Sequence, residues 1–249
     1  MITIRNVSKS FGSQHVLHGI DLEIDEGETI AVVGPSGVGK SVLLKLIMGI
    51  LAPDEGEIIV CGRNITRARN EAERNEIRSK LGVLFQSAAL FDSLTVYDNI
   101  AFPLKERFKM SRSLVHRKVQ AMLESLSLED CALHFPEEIP LGMRKRVGMA
   151  RALITEPSVL LFDEPNTGLD PIVGQEVYNL INECKAKWGF TGVVISHEIP
   201  EVFQVSDRIA MLLNGRLVED GEPKALMESK NPSVMQFLSG STHGPIKIQ

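Results

Sequence analysis

Cysteine occurs only three times, at Cys61, Cys131 and Cys184, far apart and never in a C-x-x-C pair. Neither a disulfide framework nor a zinc site fits that usage, whereas a reducing compartment does. No charge of one sign dominates: 27 Lys and Arg stand against 32 Asp and Glu, for a net charge of -5. A surface built to neutralise many phosphates needs a basic surplus, so nucleic acid is not an expected partner. Long apolar runs are missing too. The most apolar stretch, residues 42–52, is short and broken by Lys45, and Met1-Ile2-Thr3-Ile4-Arg5 has no signal-peptide core. The expectation is a chain with no membrane span of its own, working on the cytoplasmic side. Internal repeats and heptads are also missing. The sequon-like Asn64-Ile65-Thr66 reads as a polar turn after a strand.

What the chain does have is material for a core: 43% of its 249 residues are hydrophobic, enough for one large α/β domain or two modest ones. Its most informative stretch is Gly34-Pro35-Ser36-Gly37-Val38-Gly39-Lys40-Ser41, which matches G-x-x-x-x-G-K-[ST] without deviation. The run Thr29-Ile30-Ala31-Val32-Val33 before it is apolar and β-branched, as a buried parallel strand requires, and residues 42–48 continue helically to Gly49. Glycines let the backbone wrap phosphates so that successive N–H groups and the helix N-terminus face the anion. Lys40 is then expected to reach the β- and γ-phosphates of a nucleotide, and Ser41 to ligate Mg²⁺.

Upstream, Ile2 and Ile4 alternate with polar residues, as do Leu22 and Ile24, which predicts antiparallel strands with one wet face. Phe11 falls on the loop expected between them, where an aromatic ring can stack on adenine. His15 and His18 have no ligand partners at metal spacing. Downstream, a turn at residues 53–57 feeds a strand at 58–60, and another strand at 81–85 ends in Gln86. An amide at the C-terminal end of a sheet strand can reach Mg²⁺ or an attacking water. From residue 87 to about 157 the pattern turns helical, and near its start Phe85, Phe91, Tyr97, Phe102 and Phe108, with Leu90 beside them, make an aromatic concentration that suits a partner surface. Within this segment Gly142-Met143-Arg144-Lys145-Arg146-Val147 opens a basic helix with Val147, Ala150 and Leu153 inside; such a helix reads as a solvated face.

Val159-Leu160-Leu161-Phe162 is a buried strand ending in Asp163-Glu164. Asp163 suits Mg²⁺, and Glu164 can orient or deprotonate the lytic water. Gly168-Leu169-Asp170-Pro171 turns into a helix over 172–186, and a strand at 192–196 is followed by His197, whose imidazole can bond a γ-phosphate oxygen. Asn214-Gly215 joins two short strands as a type I′ hairpin, and residues 240–249 read as an extended tail.

These elements, in this order, resemble the ATP-binding cassette (ABC) ATPase family over essentially residues 1–240. The resemblance makes residues 34–41 the Walker A loop, Gln86 the Q-loop, Asp163 the end of Walker B, Glu164 the catalytic glutamate, Asp170 the D-loop aspartate and His197 the switch histidine. Phe11 stands at the adenine-stacking position, and Gly142 in the signature that meets the partner's nucleotide. It implies an α/β fold: a P-loop NTPase core with an antiparallel β subdomain, a helical subdomain inserted at about 87–157, and a C-terminal extension at 241–249. ATP and Mg²⁺ are the implied cofactors. A second ATPase subunit, an integral membrane permease and accessory subunits are the implied partners, at the inner face of the inner membrane. Residues 84–96 and 142–147, with the closing residues 237–240 and 244–246, resemble the subgroup serving bacterial Mla phospholipid transport. One departure stands out. Where the family reads Leu-Ser-Gly-Gly-Gln, or Met last in this subgroup, the chain has Ile139-Pro140-Leu141-Gly142-Met143. Pro140 offers neither hydroxyl nor N–H, which predicts slow hydrolysis, although proline suits the first turn of a helix. Asn166 replaces the threonine common after Asp-Glu-Pro. A soluble ABC regulator normally carries two cassettes or a coiled coil, and a small-molecule kinase needs an acceptor site; the residues fit hydrolysis better.

Overall fold

The computed structural model describes residues 1–247, which divide into two compact units, one of residues 1–78 and 190–247 and one of residues 79–189. In the first, β1 (Ile2–Phe11) pairs antiparallel with β2 (Gln14–Ile24), and the expected alternation is visible in the register, Ile2 opposite Ile24 and Ile4 opposite Leu22. Irregularities after Ile4 shift the alternation, with Asn6 at φ 47° and its N–H donated to the Asp21 carboxylate. β1 therefore runs on to Phe11, where the local sequence pattern predicts a loop; ladder pairing overrides that composition. β3 (Thr29–Val33) is buried at every position, leading into α1 (Lys40–Ile47). β4 (Glu55–Val60) joins the other edge of β1 and is followed by the short β5 (Arg63–Asn64).

α2 (Glu71–Arg78) closes this half of the unit and has no counterpart in the sequence pattern. Only its Ile77 is buried, so no apolar stripe marks it. It is held by charge: Glu71 pairs with Arg74 and Arg78, and Arg78 also donates to the Met48 and Gly49 carbonyls, fastening α2 to the end of α1.

The second unit opens with β6 (Leu81–Leu84), followed by α3 (Val96–Glu106), α4 (Arg112–Ser125) and α5 (Leu141–Leu153). β7 (Val159–Asp163) then pairs parallel with β6, and α6 (Pro171–Trp188) completes the unit. α3 packs on α4 and α5, and α5 on β6 and α6. The Thr95 hydroxyl caps α3, and fully buried Asn99 bonds Phe91 on both its N–H and carbonyl as well as the Leu94 and Thr95 carbonyls, fixing the aromatic loop. Cys184, buried in α6, has its thiol pushed up to about 12, mainly by desolvation, which makes it inert.

The chain then returns to the first unit with β8 (Thr191–Ser196), β9 (Arg208–Leu213) and β10 (Arg216–Gly221). β3 lies parallel between β8 and β9, and β10 pairs antiparallel with β9. Asn214 and Gly215 both take positive φ, 49° and 72°, as the type I′ hairpin demands. α7 (Pro223–Met227) and α8 (Pro232–Ser239) follow. Beyond α8 the tail is not extended as composition predicts. Gln236 holds the Ser241 and Ile246 carbonyls and the Ile246 N–H, folding residues 241–246 back on the helix. The last two residues of the predicted extension, 248 and 249, lie outside the described residues. Among the described residues no helix is long and apolar enough to cross a membrane.

Candidate nucleotide site

In the first unit the phosphate loop hangs between β3 and α1 under close backbone constraint. Gly34 has φ 148°, and a Cβ there would sit 2.1 Å from the Leu212 carbonyl oxygen, so only glycine fits. Gly39 occupies the N-cap of α1 at φ 106°, and neither a side-chain cap nor a first-turn acidic residue covers that helix end. The dipole at that helix end favours an anion. Lys40 is buried, with its ammonium donating to the Gly34 and Pro35 carbonyls at 2.8 Å each. The cation is stored inside the loop it would serve, and a phosphate oxygen offers it a stronger, charge-assisted acceptor. Ser36 and Gly37 lie exposed at the loop tip, Val38 half-buried, and Ser41 in the first turn of α1.

Phe11 ends β1 with 46% of its surface exposed. Lys9, two residues back on the same strand face, sits 5.5 Å from the ring centroid and pairs with Asp54 at 2.7 Å. The hydrogen bond from Lys9, more than that from the Ser10 N–H, holds the Asp54 carboxyl below the usual carboxylate range. His197 is exposed directly after β8, in a turn where the Glu198 N–H donates to the Ser196 hydroxyl.

The second unit carries the remaining expected residues. Gln86 is exposed two residues past β6, Asp163 ends β7, and Glu164 follows at φ 49°, a left-handed conformation that a non-glycine residue adopts at a cost of about 1 kcal/mol or more. Thr167 steadies it: its hydroxyl donates to Glu164 Oε2 at 3.2 Å. Buried Asn166 accepts from the Tyr178 hydroxyl at 3.1 Å, tying this turn to α6. Asp170 caps α6, its carboxylate accepting from the Ile172 and Val173 N–H groups. Pro140 is the N-cap of α5, one position before the first turn that its ring would suit. Leu141, 36% exposed, and Gly142 begin that helix, beside a cavity of about 390 Å³ shared with Gly168, Asp170 and Val173.

The basic helix is not a solvated face. Arg144 donates to the Ile139 carbonyl, Arg146 to Leu126, Lys145 to Gln86, and Arg151 to Ala88 and Ala89. Lys145 has no exposed surface, and burial pushes Arg151 below its ordinary value. These two escaped the sequence reading, although a signal existed: Lys145 shares the inner helix face with Gly148, Met149 and Ala152, all buried.

A buried parallel strand, a glycine-bound loop and an open helix N-terminus define a P-loop nucleotide-binding protein of α/β architecture. Comparison with known proteins narrows this. The family model described as ABC transporter matches residues 17–167. The chain is 39% identical over 249 residues to the intermembrane phospholipid transport system ATP-binding protein MlaF of Escherichia coli (strain K12), covering 100% of this chain and 92% of that one. It is 40% identical over 245 residues to the probable ribonucleotide transport ATP-binding protein mkl of Mycobacterium leprae (strain TN), covering 98% of this chain and 70% of that one. A solved dimeric ATP-binding cassette in a post-hydrolysis state, bound to ADP and Pi, superposes with a TM-score of 0.79 at 31% identity, covering 90% of this chain and 99% of that one. The chain belongs to the ABC transporter family and is an ATP hydrolase of the cassette type.

Proposed function

We propose that this chain is the ATPase subunit of a phospholipid transporter, acting as a homodimer on a separate integral membrane permease from the cytoplasmic face of the inner membrane, with accessory subunits in the same assembly. The observation that carries the substrate class is the 39% identity to MlaF along the whole chain. The resemblance to mkl keeps transport of another substrate as the second reading.

In this reading residues 1–240 form the cassette, with 87–157 as its helical subdomain and 241–249 as an extension. Residues 34–41 wrap the phosphates, Lys40 leaves its loop carbonyls for the β- and γ-phosphates, and Phe11 stacks on adenine. Glu164 acts on the attacking water, Gln86 and His197 orient water and γ-phosphate, and Gly142 and Asp170 face the partner's nucleotide. The hydroxyl of Ser41, the carboxylate of Asp163 and the amide oxygen of Gln86 are hard oxygen donors of the kind Mg²⁺ takes. Among the described residues no cluster of His, Cys, Asp and Glu could hold a metal ion by itself. Ser41, Asp163 and Gln86 would hold Mg²⁺ together with the nucleotide's phosphates, and the ion would supply positive charge to offset the negative charge developing on the phosphoryl oxygens.

The permease docks on the aromatic segment of residues 90–108. A cavity of about 340 Å³ there, lined by Phe85, Phe91, Phe102, Pro103, Arg107 and Arg151, supports that placement. Native mass spectrometry of the assembly, purified from native membranes through a tag on this chain, should record two copies of it with an integral membrane chain and bound phospholipid. Recovery with soluble chains only would overturn the reading, and a different bound solute would move the substrate to the second one.

A further inference from the structure

We infer that Lys145 and Arg151 are positioning residues for Gln86, fastening residues 86–89 to one face of α5 so that the Gln86 side chain moves with the helix that begins Leu141-Gly142-Met143. The inference rests on the reading of Gln86 given above. Nearly two turns of α5 contribute. Lys145, Gly148 and Arg151 succeed one another at i, i+3 and i+6, along one side of the helix. The Lys145 ammonium donates to the Gln86 carbonyl, and the Arg151 guanidinium donates to the carbonyls of Ala88 and Ala89, each at 2.7 Å. Between the two cations Gly148 lets the loop close in: a Cβ there would stand 2.8 Å from Leu84 Cδ1 and 3.1 Å from Ala88 Cβ.

The loop is bent to meet these donors. Ala88 and Ala89 both take left-handed conformations, φ 60° and 47°, which alanine does not favour. That bend presents successive carbonyls to a single guanidinium. Lys145 has no exposed surface and burial pushes Arg151 below its ordinary value, so each buried charge relies in part on these acceptors. Apolar side chains of equal volume would pack such a helix without that dependence. What the cations add is direction: each grips main-chain oxygens of the loop and leaves the Gln86 side chain exposed for its own contacts.

Lys145→Met keeps the bulk and removes the donor, and the test uses the assembled transporter. Hydrogen exchange in residues 86–90 should rise by about tenfold or more with residues 147–153 still protected. Turnover should fall by about tenfold with KM for ATP within about twofold, since misplacing a ligand by an ångström or less is enough. Lys145→Arg should restore most of both. If Lys145→Met fails to fold, Arg151→Lys, which keeps the charge but offers fewer donors, should raise exchange at residues 88–90. Unchanged exchange in the loop, or a Lys145→Arg variant as impaired as Lys145→Met, overturns the positioning role. Full turnover in Gln86→Ala overturns instead the reading of Gln86 on which it rests.

Discussion

Glu164→Gln lowers the turnover of Mg·ATP by about 10²- to 10⁴-fold, the contribution of a positioned general base, and leaves nucleotide affinity within about twofold. The substitution is nearly isosteric, so what it tests is basicity. Glutamine can still accept the Thr167 hydroxyl bond that steadies Glu164 Oε2 at 3.2 Å. The left-handed backbone at φ 49° is no harder for glutamine than for glutamate, and Asn166 continues to hold the turn to Tyr178. The loss therefore falls on the proton-accepting carboxylate. Phosphate release measured beside binding of a fluorescent nucleotide separates the two quantities. Turnover within about twofold of the parent would remove Glu164 from the chemistry.

The second large effect is a gain. Pro140→Ser with Leu141→Gly raises turnover by about ten- to a hundredfold, because one recovered hydrogen bond to charged phosphate is worth about 1.5–3 kcal/mol and each 1.4 kcal/mol is tenfold in rate. The helix tolerates the change. Pro140 is the N-cap of α5 at φ -58°, ψ 156°, an extended conformation that serine adopts readily, and serine is a better cap than proline. Leu141 is 36% exposed, so its removal costs little core. In the proposed homodimer this segment would face the partner's P-loop, where Pro140 and Leu141 bring an apolar surface and no hydroxyl. Steady-state hydrolysis by the purified assembly decides the matter; an unchanged rate means that Pro140 and Leu141 do not limit it.

Much of this was legible in the residues because local chemistry and tertiary demand agreed. Thr29 to Val33 read as a buried strand and are one, and Asn214-Gly215 read as a type I′ turn and take both positive φ values. The phosphate loop was legible for the same reason: glycine stands where the Leu212 carbonyl leaves no room for a Cβ. Reading failed where distant pairing decides. Residues 7–11 look like a loop, yet the ladder with β2 makes them strand. α2 has no apolar stripe and lives on charge pairs and on carbonyls from the end of α1. The folded tail depends on the single side chain of Gln236, which no periodicity announces. Lys145 was the costliest omission. A cation in a basic run looks solvated until its helix face is counted, and that face carries Gly148, Met149 and Ala152.

The central claim is that each hydrolytic site is completed by a second copy of the chain. Two variants co-expressed with different tags, and purified through both, test it directly. Glu164→Gln keeps its α5 segment and loses its base. Gly142→Asp keeps its P-loop and glutamate but puts a carboxylate in the segment facing the partner's phosphates, where even a Cβ would come within 2.8 Å of Val173 Cγ1. Each alone should be inactive. The mixed dimer contains one site with an intact P-loop and glutamate from one chain and an intact Gly142 from the other, and its ATP turnover should recover to a substantial fraction of one parental site. Turnover no higher than the sum of the two variants alone would contradict a site shared between chains.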